Sequence, residues 1–198
     1  MLLRGSILAT VVTLAAFCGS HDAKAQGVFT LSSPGFKDGE RLATKFAGNN
    51  KTNPNCVGEN VSPAFSWANP PEGTKSYALM MFDPEGRPPG GVSHWVAYGI
   101  PVSVTGFAEG EVSKPGDKYI GGTSTMKLSN YFGPCTPPGP LHHYTIEVYA
   151  LDVPIDVAVS TASTPVAAAL ESRANVMKAM QGHVLGKAVY VGLFHRPK

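Results

Sequence analysis

Two histidines, His94 and His142, lie where loops rich in Pro and Gly lead into β-rich runs of sequence. A strand fixes the residues at its start while the adjoining loop stays open, so both imidazoles could face a ligand. Asp83 follows the apolar run Tyr77–Phe82. If these strands are neighbours, its carboxylate can accept a hydrogen bond from His94 and favour the protonated ring. The three residues predict a small polar pocket suited to an anion.

The same residues allow other interpretations. Asp83 could cap the turn that begins at Pro84, while His94 is a hydrogen-bonded core residue. Zinc could bind Asp83, His94 and His142, but no HxxxH or CxxC spacing favours a metal site. Ser93 could act as a nucleophile, but the Gly-x-Ser-x-Gly motif is absent and neighbouring strand residues point to opposite faces. We therefore predict no catalytic residue, no metal ligand and no cofactor.

The elements that must hold this pocket are mostly strands. Apolar runs rich in β-branched and aromatic residues, bounded by Gly, Pro, Asn or Ser, predict strands at Phe29–Leu31, Ala64–Trp67, Tyr77–Phe82, His94–Ile100, Tyr144–Leu151 and Ala188–Phe194. The run Tyr77–Phe82 is apolar on both of its faces, which predicts a central strand covered from both sides.

One helix is predicted near the C-terminus. Thr164 can cap it, Pro165 fits its first position and Gly182 can end it. Its buried apolar face is expected to hold Val166, Leu170, Met177 and Met180. No repeat or linker divides the sequence, so the pattern predicts one β-dominated domain with a late helix.

The N-terminus is typical of a secretory signal peptide. A positive residue precedes the apolar stretch Ile7–Phe17, and Ala23-Lys24-Ala25 has the small-x-small pattern of a cleavage site. We predict a signal peptide at residues 1–25 and a domain at residues 26–198, which places the protein in the periplasm or outside the cell. The mature chain keeps 14 basic and 13 acidic side chains with no basic patch, so nucleic acid is not an expected partner.

Two cysteines, Cys56 and Cys135, remain after the signal peptide is removed, and export places them where disulfides persist. Both lie in loop sequence, which favours a disulfide over two free thiols. Closing a loop of about 80 residues would stabilise the fold by about 4 kcal/mol in the chain-entropy model. Cys18 could carry a lipid, but the bulky Phe17 before it argues against this, and Ile7–Phe17 is too short to span a bilayer comfortably.

Several motifs resemble those of the phosphatidylethanolamine-binding protein family, and in particular its bacterial branch named Raf-kinase-inhibitor-like. They are Asn60-Val61-Ser62-Pro63, Asp83-Pro84-Glu85, His94-Trp95-Val96, Gly133-Pro134-Cys135, His142-His143-Tyr144 and Gly182-His183-Val184-Leu185. The resemblance covers nearly the whole mature chain. It implies a mainly β single domain with a large antiparallel sheet, a smaller second sheet and peripheral helices.

The resemblance also implies a set of ligand-binding residues, namely Asp83, His94, His142, Tyr131, Tyr144, Gly133 and Cys135. In the family, the matching carboxylate and histidines line the pocket, and the tyrosines supply a hydroxyl and a rim aromatic. The N–H groups of the turn Gly133–Cys135 match those that face a bound phosphate. His143 is expected to point away from the pocket, because successive side chains of a strand alternate.

The sequence departs from the family's pattern at the pocket rim. Glu85 stands where many members have a second aspartate, Gly86-Arg87 replaces a common Ala-Pro, and Val92 replaces a frequent aromatic residue. Thr123-Ser124-Thr125 replaces the Arg-Asn-Asp usual in bacterial members. The ligand can therefore differ from that of other members.

We expect a secreted or periplasmic, non-enzymatic binding protein whose pocket holds phosphate or a phospholipid head group, without stable membrane insertion. The resemblance implies an alternative, an inhibitor of a kinase or protease that acts through protein–protein contact. A third alternative is a hydrolase in which His94 or His142 is a general base oriented by Asp83. If both histidines bind the anion as imidazolium, affinity should rise as pH falls through about 6.5.

Overall fold

The structure is a computed structural model that describes residues 27–197 of the 198-residue chain. The predicted signal peptide, residues 1–25, and its cleavage site before Gln26 lie outside the described residues and stay predictions. The described chain forms nine strands, one α-helix and two short 3-10 helices, at Thr44–Phe46 and Glu111–Ser113.

A six-stranded sheet is the largest element. Its strands are β2 (Glu40–Arg41), β4 (Ser76–Asp83), β5 (Val92–Pro101), β7 (Ile120–Gly121), β8 (His142–Leu151) and β9 (Val184–Phe194). They lie in the spatial order β2-β9-β8-β4-β5-β7. All neighbours are antiparallel except β2 and β9, which are parallel.

A smaller antiparallel sheet packs on one face of the large one. It consists of β1 (Thr30–Ser32), β3 (Phe65–Ala68) and β6 (Gly106–Phe107), in the order β1-β3-β6. Trp67 from the small sheet contacts Tyr77 of β4 edge-on, with ring centroids 5.4 Å apart. The predicted fold class, a large mainly antiparallel sheet with a smaller second sheet, is confirmed.

Strand β4 is covered on both faces, as its sequence predicted. Leu79 and Met81 point into the core between the sheets, and their exposed fractions are 0% and 1%. Ala78 and Met80 are both fully buried in a second core on the opposite face. A central strand with two apolar faces therefore holds the last residue of β4, Asp83, in a fixed place.

The predicted helix is present as α1 (Pro165–Ala179), with the Thr164 hydroxyl accepting a hydrogen bond from the N–H of Ala167. Of the four residues expected on its apolar face, Met180 is buried, Val166 and Leu170 are half-buried and Met177 is 40% exposed. The fully buried positions of the helix are Ala169, Ser172 and Val176. The helix ends before Gly182 and packs small residues against β5, so its contact face is narrow. No helix within residues 27–197 is long and apolar enough to cross a membrane.

The predicted disulfide is present between Cys56 and Cys135, whose Cα atoms are 4.4 Å apart. It links two loops separated by 79 residues. The same loops also meet through a hydrogen bond from the N–H of Gly48 to the carbonyl of Pro134. The segment around Cys135 is therefore fixed by covalent and hydrogen bonds.

Gly122 supports the close approach of α1 to the large sheet. A Cβ atom at this position would lie 2.6 Å from Ser172 Oγ and 2.8 Å from a methyl carbon of Val96. We expect Gly122→Ala to destabilise the protein by about 1 to 3 kcal/mol because the helix must move away. Gly116→Ala is the control, since its Cβ would meet only Tyr119 at 3.9 Å. Urea unfolding measures both, and equal stabilities would contradict this packing.

Candidate functional site

A cavity lies at one end of the large sheet, where β4 ends and β5 and β8 begin. Because β4 is antiparallel to both neighbours, its last residue meets their first residues. This register brings Asp83, His94 and His142 to one cavity with a volume of about 320 Å³. Three residues that are far apart in sequence thus share one wall.

A β-bulge places His94. Met81 pairs with Trp95 and Phe82 pairs with Ser93, so His94 is the extra residue between two regular pairs. A bulge interrupts the alternation of side chains and can redirect one of them. The imidazole accordingly packs edge-on against Tyr144, with ring centroids 5.1 Å apart, and stacks on Phe132 at 6.3 Å.

The carboxylate of Asp83 accepts three hydrogen bonds although only 3% of the residue is exposed. Its Oδ1 accepts from the N–H groups of Glu85 at 3.0 Å and Gly86 at 2.9 Å. Its Oδ2 accepts from Nδ1 of His142 at 2.8 Å. The aspartate therefore caps the turn and orients a histidine. That histidine is His142, so the predicted pairing of Asp83 with His94 is wrong.

His94 finds its partner in the backbone. Its Nδ1 donates to the carbonyl oxygen of Phe132 at 2.7 Å, and only 4% of the residue is exposed. Burial lowers the pKa of His94 below that of free histidine; the Phe132 hydrogen bond and the nearby Asp83 charge oppose this effect but do not outweigh it. Burial therefore favours a neutral imidazole at His94 near pH 7, which argues against the prediction that this ring binds an anion as imidazolium.

Tyr144 lies two residues beyond His142 and so shares its face of β8. It lines the cavity, and its hydroxyl hydrogen-bonds the hydroxyl of Thr136 on the opposite wall. Burial raises the pKa of Tyr144 far above that of free tyrosine, so the cavity contains a neutral phenol.

Two of the predicted ligand-binding residues do not reach the cavity wall. Tyr131 is fully buried, and its hydroxyl donates to the carbonyl of Phe46 at 2.7 Å. The N–H of Gly133 donates to the side-chain oxygen of Asn60 at 2.9 Å and is therefore occupied. Cys135 does line the cavity. Asp83, His94, His142, Tyr144 and Cys135 are thus brought together, and their ligand-binding role stays a prediction.

The rest of the wall comes from residues that sequence reasoning flagged only as departures or missed. Gly86, Arg87, Val92 and Thr125 are the flagged ones, and all four line the cavity. Phe132 adjoins the predicted rim tyrosine, which was the nearest available signal. No pattern in the sequence pointed to Asn53 or Met126, because each lies in a loop that folding brings to the site from elsewhere.

A second histidine pair lies beside the cavity. Nδ1 of His143 is 2.8 Å from a carboxylate oxygen of Glu85, and His143 points away from the cavity as expected. Ligand atoms of Asp83, Glu85 and His142 lie within 4.8 Å of one another, so these three could hold a divalent cation. Such a cation would have to displace the proton between Asp83 and His142 and separate Glu85 from His143.

The neutral state of His94 predicts a loss of stability in acid. Below about pH 6.5 the unfolded chain gains a proton on this histidine that the folded chain does not, so the free energy of unfolding falls as pH falls, by at most about 1.4 kcal/mol per pH unit for this group. His94→Asn removes this contribution. Urea unfolding at pH 7.5 and pH 5.0 measures the loss in both proteins. An equal loss in both would mean that His94 does not contribute to it.

Comparison with known proteins gives a consistent result. The family model described as phosphatidylethanolamine-binding protein matches residues 32–195. A UPF0098 protein of Methanothermobacter thermautotrophicus is 33% identical over 168 residues, covering 84% of this chain and 98% of the relative. The UPF0098 protein YbcL of Escherichia coli is 32% identical over 160 residues, covering 76% of this chain and 82% of the relative.

Solved structures agree with the sequence comparison. The crystal structure of Escherichia coli YbcL, described as a new member of the mammalian PEBP family, superposes with a TM-score of 0.71 and 26% identity, covering 85% of this chain and 99% of that one. A putative phosphatidylethanolamine-binding protein homologue from Chlamydia trachomatis gives a TM-score of 0.68 and 26% identity, with coverages of 86% and 99%. The chain belongs to the phosphatidylethanolamine-binding protein family.

Proposed function

We propose that this protein is an exported, non-enzymatic binding protein whose cavity takes a small anion, namely phosphate or the phosphate-bearing head group of a larger molecule. The observation that carries the proposal is the presence of Arg87 and an anchored His142 in one cavity of about 320 Å³. The family's name, which refers to a phospholipid, supports the same class of ligand.

Arg87 supplies the permanent positive charge. It occupies the left-handed region at φ 48° and lines the cavity, and its guanidinium forms no hydrogen bond or ion pair with another residue of the described range. A guanidinium presents a planar set of donors that matches phosphate oxygens. A free guanidinium at the cavity mouth is therefore suited to receive an oxyanion.

Asp83 does not prevent anion binding, although it carries the opposite charge. Its two oxygens face two backbone N–H groups and His142 rather than open space. Because Asp83 holds Nδ1 of His142, the Nε2 atom of that ring is free to face a ligand. The aspartate thus acts by orienting the His142 ring.

The size of the cavity favours a head group over acyl chains. A volume of about 320 Å³ is at the lower end of known ligand pockets. Its apolar wall includes Val92, Met126, Phe132, Pro137 and the ring of Tyr144. Such a wall can contact the carbon atoms of a short substituent. A diacyl lipid would have to keep its chains outside the cavity.

The chemistry of the wall supports binding rather than catalysis. Ser93, the serine next to His94, is 1% exposed and is not part of the cavity wall. Burial keeps the Tyr144 hydroxyl protonated, so it is a poor nucleophile. The Asp83–His142 pair resembles the base and orienter of a hydrolase, but Ser93 is buried outside the cavity and the Tyr144 hydroxyl, which hydrogen-bonds Thr136, stays protonated.

Export is part of the proposal and accounts for the disulfide. The predicted signal peptide at residues 1–25 would place the protein in the periplasm or outside the cell, where a Cys56–Cys135 bond persists. The compartment also determines which ligands the cavity meets, namely free anions and lipid surfaces outside the cytoplasm.

Replacing Arg87 by Gln should weaken the binding of inorganic phosphate by about 10- to 100-fold, which corresponds to the loss of one or two charge-assisted hydrogen bonds. Isothermal titration calorimetry at pH 7 with EDTA present measures it. Lys114→Gln is the matched control, because Lys114 is an exposed cation outside the cavity wall. Equal affinities of the two variants would count against Arg87 as the anion receptor, and a wild-type protein that binds neither phosphate nor phosphorylethanolamine would remove the proposal.

Reducing the Cys56–Cys135 bond should weaken phosphate binding several-fold. The bond fixes the loop that supplies Phe132, Cys135 and Thr136 to the wall, and an unfixed loop must be ordered again on binding. Calorimetry with and without reductant, after circular dichroism shows that the fold persists, measures the effect. The Cys56→Ala, Cys135→Ala double variant should match the reduced protein and ignore reductant. Unchanged affinity would leave the bond a structural link without a role in the site.

A further inference from the structure

We propose that the cavity selects an oxyanion that carries a proton, such as hydrogen phosphate or a singly protonated phosphate monoester, over an oxyanion of similar shape that carries none, such as sulfate or a phosphate diester. His94 is the residue that makes this distinction, because its Nε2 atom accepts a hydrogen bond from the protonated oxygen. The inference rests on the proposed anion-binding function and narrows its ligand class.

The tautomer of His94 follows from its partner. A backbone carbonyl oxygen can only accept, so the 2.7 Å contact with Phe132 requires a hydrogen atom on Nδ1. The N–H of Phe132 donates back to the carbonyl of His94 at 3.3 Å, which fixes the two residues in both directions. Turning the ring over would break the Nδ1 bond. The orientation of the imidazole is therefore determined by the backbone.

The charge of His94 follows from its surroundings. It is nearly fully buried, and the groups that face it are Asp83 from β4, His142 and Tyr144 from β8, and Arg87 from the loop between β4 and β5. The Asp83 charge favours a protonated ring, but that carboxylate already accepts three hydrogen bonds. Burial disfavours a charged ring and outweighs that attraction, and Arg87 also disfavours a second cation in the cavity. A neutral ring with hydrogen on Nδ1 leaves Nε2 with a free lone pair.

The cavity therefore combines donors with an acceptor on His94. Arg87 can only donate, and the amide nitrogen of Asn53 is a donor because its oxygen accepts from the N–H of Asn55. Nε2 of His94 has no hydrogen-bond partner among residues 27–197. A protonated ligand oxygen satisfies it, whereas a bare oxyanion would place a second lone pair against it. Sites that contain an acceptor for a ligand hydroxyl discriminate strongly against ligands without one.

The test compares phosphate with sulfate by calorimetry at pH 7 in the presence of EDTA. Both phosphate species present at this pH carry a proton and sulfate carries none. We expect wild-type protein to prefer phosphate by at least about tenfold. His94→Asn keeps an N–H donor for the carbonyl of Phe132 but removes the Nε2 acceptor. This variant should lose most of the preference, mainly through weaker phosphate binding. His143→Asn, on the outward face, should keep it.

Each outcome has a distinct meaning. If neither anion binds, the proposed function fails. If both bind equally well to wild-type protein, the function stands and the proton-selective site is wrong. A preference that survives in His94→Asn would assign the acceptor to another group, with Asp83 the nearest, and would overturn the role of His94.

Two measurements on wild-type protein keep the inference testable even if His94→Asn does not fold. Nitrogen chemical shifts of the His94 ring at pH 7 should show a protonated Nδ1 and a bare Nε2, and a hydrogen on Nε2 would overturn the inference. At about pH 5 methyl phosphate carries one proton and the same single charge as dimethyl phosphate, so the diester should bind at least about tenfold more weakly than the monoester. Equal binding of the two would also overturn it.

Discussion

The carboxylate of Asp83 connects the parts on which the cavity depends. It stands at the end of the central strand β4, and three hydrogen bonds join it to the turn that follows and to the first residue of β8. Gly86 makes this close approach possible, because a Cβ there would lie 2.9 Å from Asp83 Oδ2. Removing the carboxylate would leave the turn uncapped and His142 without an anchor. One buried charge thus determines both the shape of the loop and the direction of a histidine.

The opposite side of the cavity is organised by backbone. The bulge in β5 frees His94 from the regular alternation of the strand, and the carbonyl of Phe132 then fixes its ring. Phe132 belongs to the segment that the disulfide holds in place. The two histidines of the cavity therefore differ in what orients them. Nδ1 of His142 is held by a carboxylate, and Nδ1 of His94 is held by a neutral carbonyl oxygen.

Much of this architecture could be predicted from the sequence, for identifiable reasons. Apolar alternation revealed the long strands, and the apolar residues on both faces of Tyr77–Phe82 revealed its central position. The motifs around Asp83, His94 and His142 revealed the family. What could not be predicted depends on tertiary contacts. The bulge at His94 turns this ring toward Phe132, so Asp83 pairs with His142 instead. The buried face of α1 depends on the close approach of Ser172 to Gly122, which the periodicity of the helix sequence does not reveal.

The cavity forms only when distant segments of the chain have paired during folding. Asp83 and His142 are 59 residues apart, and they meet only when β8 has joined β4. Until then β4, which is apolar on both faces, is a strand edge of the kind that pairs with other chains. Proteins dominated by such distant pairings fold slowly and expose these edges for longer. The pairing that completes the cavity is therefore the same one that covers an apolar strand edge, so sequence changes at the start of β8 should affect both the yield of folded protein and its capacity to bind.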